Sequence, residues 1–354
     1  MTPQQQLLED TVSGLFAKIV DSMVSESPTV ELDVAWQQLQ QLGIDNLFLT
    51  EEEGGFSGTW QDARIVFYYT GRNALGLPIC ETIIAKKLLL EACVSMPTGP
   101  LTIAPGDNLS LERCPTSGEY LISGRLASVP WGRACECVIT ACSHDGVDYL
   151  LALNCDESNY NGGRANEAGE PRDNLDFKQA KIVGMAALDG APQRLFRAGA
   201  LMRTAQMAGA LDAALQMAVD HVKGREQFGR PLAKFQAIQQ QLAILAEECA
   251  AVNCAAQAAA LAEDFGDSGF EVAAAKLRAN RSVGSATSIA HQVHGAIGVT
   301  REYLLHRFTQ RLWAWRSDFG NDRFWAQNLG RQVLAMKKVG LWAHMTALSD
   351  KHIK

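Results

Sequence analysis

With 354 residues, a hydrophobic fraction of 47%, a charged fraction of 20% and a net charge of −7, the chain is long enough for more than one packed module. It is too acidic to bind nucleic acid through bulk positive potential. Its apolar runs fall short of the roughly 18 residues of a membrane span, and the N-terminal MTPQQQLLED has neither a basic nor an apolar leader region, so no membrane span and a cytoplasmic location are expected. The nine cysteines are odd in number and scattered through apolar or Ala-rich surroundings, and Cys135 and Cys137 make only a C-x-C; reduced, buried thiols are expected rather than disulfides or zinc ligands.

Residues 1–97 read as an N-terminal helical domain. LLEDTVSGLFAKIVDSMV and VAWQQLQQLGI carry apolar residues at three- and four-residue spacing, EEEGGFSGTW reads as a connection, and TIIAKKLLLEACVSM as a closing helix. Residues 98–190 change texture. GEYLISGRLASVPWG, CECVITACSHDGVDYLLALNC and KQAKIVGMAAL alternate β-prone runs with turn residues, which predicts a small β-barrel-like domain of six or seven strands, with NYNGGRANEAGEPRDN as a long polar loop. Residues 191–354 return to helix in three segments of close to thirty residues each, as in a four-helix bundle, and Pro231 falls where the first of them must end. The fold class expected is α+β: a helical domain, a central β domain and a C-terminal bundle.

No G-x-G-x-x-G follows a strand, no G-x-x-x-x-G-K-[ST] is present, and no G-x-S-x-G marks a nucleophile. His291 and His294 share a helix face without an evident third metal ligand. Two corners stand out. In GREQFGRPLAKFQ (224–236), Arg225 and Arg230 bracket Gln227, Phe228 and Gly229: guanidinium forks suit a diphosphate, and an aromatic can lie against a flat ring. In HQVHGAIGVTREY (291–303) a helix runs into a Gly-rich turn with room for a purine and its sugar. From the residues alone, ligand corner and plain helix-turn-helix corner both stay open.

The pattern R-x-x-F-G-x-P-L-x-x-F-Q, followed by Q-x-x-G-x-x-G-V-T-x-E-Y and set in a helical, β, helical order, resembles the acyl-CoA dehydrogenase flavoprotein family, most specifically in the C-terminal helices. The resemblance implies that family's fold, with FAD held between β domain and bundle. It also implies oxidation of an acyl-CoA to its 2-enoyl-CoA in lipid β-oxidation chemistry, an electron-transfer flavoprotein as acceptor, and a homo- or hetero-oligomer, dimer or tetramer. It further implies that Arg225 contacts the FAD diphosphate, that Gln227 and Phe228 lie in the same cofactor-facing turn, that Gln236 is a polar contact near it, and that Gln292 and Gly295 receive the adenine across the subunit interface.

Departures from the pattern carry as much. Ala296 replaces a family glycine. LTIAPGDNLSLE keeps only Thr102 and Pro105 of T-E-P-x-x-G-S-D, and the flavin-facing W-[IV]-[TS] reads Ala127-Ser128-Val129, with a tryptophan arriving at Trp131. The family's glutamate base falls at Phe319, and its alternative location lies near Gly199, which has no carboxylate. Asp318 is therefore the candidate general base, against a surface aspartate paired with Arg316. These gaps suggest one subunit of a heteromeric (α2β2) dehydrogenase; a non-catalytic subunit completing its partner's FAD site, or a flavin-free helical scaffold, are the other classes.

Overall fold

The computed structural model of the chain describes residues 2–23, 28–116, 118–156, 159–336, 340–343 and 345–346. Among these, the helices α1 (Pro3–Met23), α2 (Pro28–Gln41), α3 (Trp60–Arg72) and α4 (Ile79–Glu91) come first. Val12, Phe16 and Ile19 of α1 recur at helical spacing and are buried in a core shared with Ile65, Val66 and Phe67 of α3. The EEEGGFSGTW connection is itself structured: Thr50 caps a 3₁₀ turn at Glu51–Glu53, and Thr59 with Asp62 forms the capping box that starts α3. Helix α4 stops short of the expected run, because Ala92 caps it and Cys93 turns to a left-handed φ of 53°.

Strands β1 (Leu101–Ile103), β2 (Leu109–Arg113), β3 (Tyr120–Pro130), β4 (Cys137–His144), β5 (Val147–Asn154), β6 (Tyr160–Ala165), β7 (Pro171–Lys181) and β8 (Gly184–Ala187) build two four-stranded sheets, ordered β1-β4-β5-β8 and β2-β3-β7-β6. The expected polar loop at NYNGGRANEAGEPRDN is instead a hairpin arm. β6 pairs with β7 as an exposed edge strand, so its polar composition conceals it. Val138, Leu151 and Leu153 face the core between the sheets, while Ile139, Leu150 and Ala152 face the helices. With both faces covered, these strands read as unbroken apolar runs.

Helices α5 (Ala191–Gly224), α6 (Gln236–Asp264) and α7 (Gly269–His294) are 34, 29 and 26 residues long, and α8 (Leu305–Trp315) and α9 (Asp322–Ala335) follow. α5 ends at Gly224 rather than at Pro231, which lies in the second strand of a short hairpin. By length and composition alone α6 could cross a membrane, because alanine makes it apolar without making it large; its stripe of Leu245, Cys249, Val252, Ala256 and Ala259 is buried against its neighbours.

Glycine sets the crossing of α3 and α5. A Cβ on Gly71 would lie 1.9 Å from the Gln206 carbonyl oxygen, and one on Gly209 would lie 1.9 Å from that of Tyr68. Gly209→Ala is expected to cost about 1–3 kcal/mol by forcing the helices apart, seen as a lower urea midpoint at unchanged m-value. Gly284→Ala in α7, where a Cβ meets nothing within 4 Å, is expected to raise that midpoint instead, because alanine is the better helix former. Equal behaviour of the two variants contradicts the close approach.

Candidate functional site

The GREQFGRP stretch is a two-residue hairpin. β9 (Glu226–Gln227) pairs with β10 (Arg230–Pro231), and Phe228 and Gly229 turn between them at φ 53° and 75°. A left-handed φ is easy for glycine and strained for phenylalanine, yet the Phe228 side chain recovers little by packing: it is 89% exposed, with only an edge contact to Phe235 at 6.2 Å. Arg230 lies over Phe235 at 4.1 Å. Among the described residues no carboxylate pairs with Arg225 or Arg230, and Gln227 and Gln236 are exposed beside them. The chain thus presents two guanidiniums and an aromatic ring outward at a strained turn.

The second corner lies against the first. α7 ends at His294, Gly295 turns away at φ 66°, and Gln292, Gly295 and Ala296 are exposed. The His221 ring, one turn before Arg225, stacks on that of His294 at 4.7 Å and 30°. His294 Nδ1 donates to the Ala290 carbonyl at 2.6 Å, which leaves Nε2 to accept the Tyr303 hydroxyl at 3.1 Å. His294 therefore has both ring nitrogens engaged within the protein: it is buried, and it joins the corners. His291 bonds Thr309 instead, and no group of metal-binding side chains occurs among the described residues. All nine cysteines are free thiols, with Cys93 and Cys254 the exposed exceptions to the expected burial.

Asp318 belongs elsewhere. The 11 residues of α8, at about 1.5 Å each, separate it from the second corner. It is not paired with Arg316, which binds Asp322. Its Oδ2 accepts from Arg172 on β7 at 2.9 Å and from Arg203 on α5 at 3.0 Å. Arg203 also holds Glu81 of α4 at 2.8 Å and Gln206 at 2.6 Å. Glu170, just before β7, takes Arg172, Arg311 and the Trp315 indole N–H. Three carboxylates and three guanidiniums therefore lock α4, β7, α5 and α8 together.

The electrostatics follow. Burial works to raise the Asp318 carboxyl, and Arg203, Arg172 and Lys276 overcome it, so the group sits below the usual carboxylate range. Burial would likewise raise Glu170, and Arg311, Arg172 and Arg203 bring it down. Lys276 is fully buried, and burial draws it down to about 7. Its Nζ meets Asn280 Oδ1, Trp315 O and Arg316 O at 2.6, 3.0 and 3.2 Å, one acceptor for each ammonium proton.

Phe319 and Gly199 meet. A Cβ on Gly199 would lie 2.4 Å from the Phe319 ring, which packs with Phe196 and Trp325. The resemblance places a carboxylate at Phe319 or near Gly199, and these two residues are a phenyl ring and the glycine whose space it fills. Beside them lies a cavity of 370 Å³ lined by Phe196, Phe324, Trp325, Pro105, Gln193 and Asn328. The β-sheet remnants are spent internally. Thr102 donates to the Pro130 carbonyl at 2.6 Å, β3 bulges between Leu126 and Val129 so that Ala127 and Ser128 are exposed, and the buried Trp131 indole reaches the turn at Gly76.

Residues 190–334 match the family model for the acyl-CoA dehydrogenase C-terminal domain. The C-terminal helices are those of the acyl-CoA dehydrogenase family. The chain is 26% identical over 320 residues to acyl-CoA dehydrogenase IpdE2 of Mycobacterium tuberculosis, covering 88% of this chain and 92% of that one. A chain of the ChsE4–ChsE5 complex from Mycobacterium tuberculosis has the same fold, with TM-score 0.82, 21% identity, and 95% and 98% of the two chains covered. PigA with FAD and proline superposes with TM-score 0.80 at 14% identity over 95% and 99%. FAD is the cofactor bound by PigA in that structure.

The two ends of that cofactor fare differently here. The hairpin corner, with its unpaired guanidiniums and standing phenyl ring, fits a diphosphate and a flat group. The positions of the family's flavin-facing motifs do not fit the ring: the Thr102 hydroxyl is already donated, the tryptophan position is an exposed alanine, and the buried Val129 stands where the motif carries a hydroxyl.

Proposed function

We propose that this chain is one subunit of a FAD-dependent acyl-CoA dehydrogenase in which it supplies the cofactor-holding edge and a partner subunit supplies the carboxylate base. In this reading Arg225 holds the diphosphate, Gln227, Phe228 and Gln236 line the cofactor, and Gln292 and Gly295 take its adenosine end. The reaction is α,β-dehydrogenation of an acyl-CoA to the 2-enoyl-CoA, with electrons leaving through an electron-transfer flavoprotein, in the cytoplasm. FAD supplies the hydride acceptor; the residues of this chain bind, orient and exclude water.

The Gly199–Phe319 contact carries the reading. Removing the α-proton of a thioester needs a carboxylate of raised pKa facing the reacting carbon. The nearest candidate, Asp318, is held as a stable anion with both guanidinium partners on one oxygen. Likeness to a chain of the ChsE4–ChsE5 complex supports a heteromer of two chain types. Asp318 as base in a self-sufficient homo-oligomer is the competing reading, and its ion pairs argue against it.

Flavin absorption decides between them. Purified alone, the chain is expected to be colourless, and co-expressed with an acyl-CoA dehydrogenase-like partner it is expected to co-purify as a yellow complex. A yellow single-chain preparation that oxidises acyl-CoA with an artificial acceptor contradicts the proposal.

A further inference from the structure

The two cofactor corners are joined by a pair of imidazoles, and that joint has chemistry of its own. We infer that the stacked His221–His294 pair is a protonation-sensitive pin: it holds the two corners together while at most one ring is charged, and releases them when both are. The inference rests on the proposed role of the corners for its consequence only.

The geometry allows one proton without conflict. His294 uses Nδ1–H on the Ala290 carbonyl and accepts Tyr303 at Nε2. Charging it turns Tyr303 from donor to acceptor, which a hydroxyl tolerates. A second charge on His221 then faces the first at 4.7 Å, with the Arg225 guanidinium on the next turn of the same chain end.

The surrounding groups do little to relieve this. From α7 comes His291, and from the start of α8 comes His306, whose Nδ1 lies 3.0 Å from the Tyr303 carbonyl; neither supplies negative charge near neutral pH. Of the two carboxylates of α5, Asp212 is held by Tyr68 and Asn253, and Asp220, next to His221 in the chain and held by Gln216 Nε2 at 3.0 Å, can offset one of the two charges, while Lys223 adds a positive one. Tyr303 stays protonated, its pKa raised by burial and by Asp220.

Burial, His294 and Arg225 lower the His221 pKa. A base whose folded-state pKa is depressed favours folding when neutral, so local stability is present at higher pH and is lost as pH falls below about 6.5, the ordinary imidazole value. Because Gly295 and Tyr303 lie on one side of the pin and Arg225 on the other, acidification separates the halves of the surface that the proposed function assigns to FAD and the partner.

Amide hydrogen exchange of the full chain at about pH 7.5 and about pH 5.5, corrected for intrinsic exchange, tests this without flavin or partner. Segments 219–231 and 291–304 are expected to open at least about tenfold more at the lower pH, while 245–260 of α6 does not change. His221→Phe keeps a stacked ring without its proton and is expected to abolish the acid opening; His294→Gln is the second variant if the first does not fold. Protection that does not change with pH in the unsubstituted chain, or acid opening that persists in the folded variants, overturns the inference. A failed flavin experiment leaves it standing, because neither colour nor activity is read.

Discussion

Arg203→Leu is expected to destabilise the chain by about 3–5 kcal/mol, because it strands the buried Glu81 and takes one of two guanidiniums from Asp318. Arg203 is 2% exposed, and Glu81, on the other side of it, is 1% exposed. Burial alone would lower the Arg203 pKa; Glu81, Asp318 and Glu170 reverse that, so the side chain is charged throughout the accessible pH range. Leucine fills much of the same volume and adds apolar contact, but it leaves Glu81 with no ion-pair partner among the described residues. Asp318 keeps Arg172 and suffers less. Urea unfolding should show the lost midpoint, and Arg203→Leu combined with Glu81→Leu should recover part of it, since removing both partners of a buried pair costs less than removing one. A single variant within about 1 kcal/mol of the parent would mean that the network contributes little.

Arg225→Ala is expected to weaken flavin retention in the partner complex by about 10- to 100-fold, the value of one charge-assisted contact of about 1.5–3 kcal/mol. The chain's own stability should not follow, because Arg225 is exposed and contributes its backbone, not its side chain, to the hairpin: its N–H bonds His221 O and its carbonyl accepts from Leu232. Dialysis of the complex followed by flavin absorption gives the affinity, and the thermal midpoint of the chain alone gives the control. Unchanged retention would remove the diphosphate assignment.

The order of helical, β and helical segments was legible because its signals are local: helical spacing in α1, paired-face apolar runs in β4 and β5, and long alanine-bearing helices after them. β6 was not legible, since an edge strand with both faces wet has no apolar alternation to show. The hairpin corner announced itself by expensive residue types where turn residues would serve, and the structure adds the left-handed φ of Phe228 that sequence could not show. Asp318 was legible as a candidate and not in its role, because its partners Arg172 and Arg203 lie 146 and 115 residues away in the chain. The one available signal was a lone charge in an apolar helical run, Glu81 in PICETIIA and Arg203 in GALMRTAQMAGAL, which predicts a buried partner without naming it.

The account's central claim, that this chain holds the cofactor edge and does not supply the base, is tested most directly by Asp318→Asn in the flavin-loaded complex. Asparagine keeps an oxygen for one guanidinium and removes the basicity, so the variant's turnover number, measured on complex of confirmed flavin content, separates structure from catalysis. The account predicts a kcat within about threefold of the parent, and a fall of about 100-fold or more at unchanged KM, the loss expected on removing a general base, would contradict it.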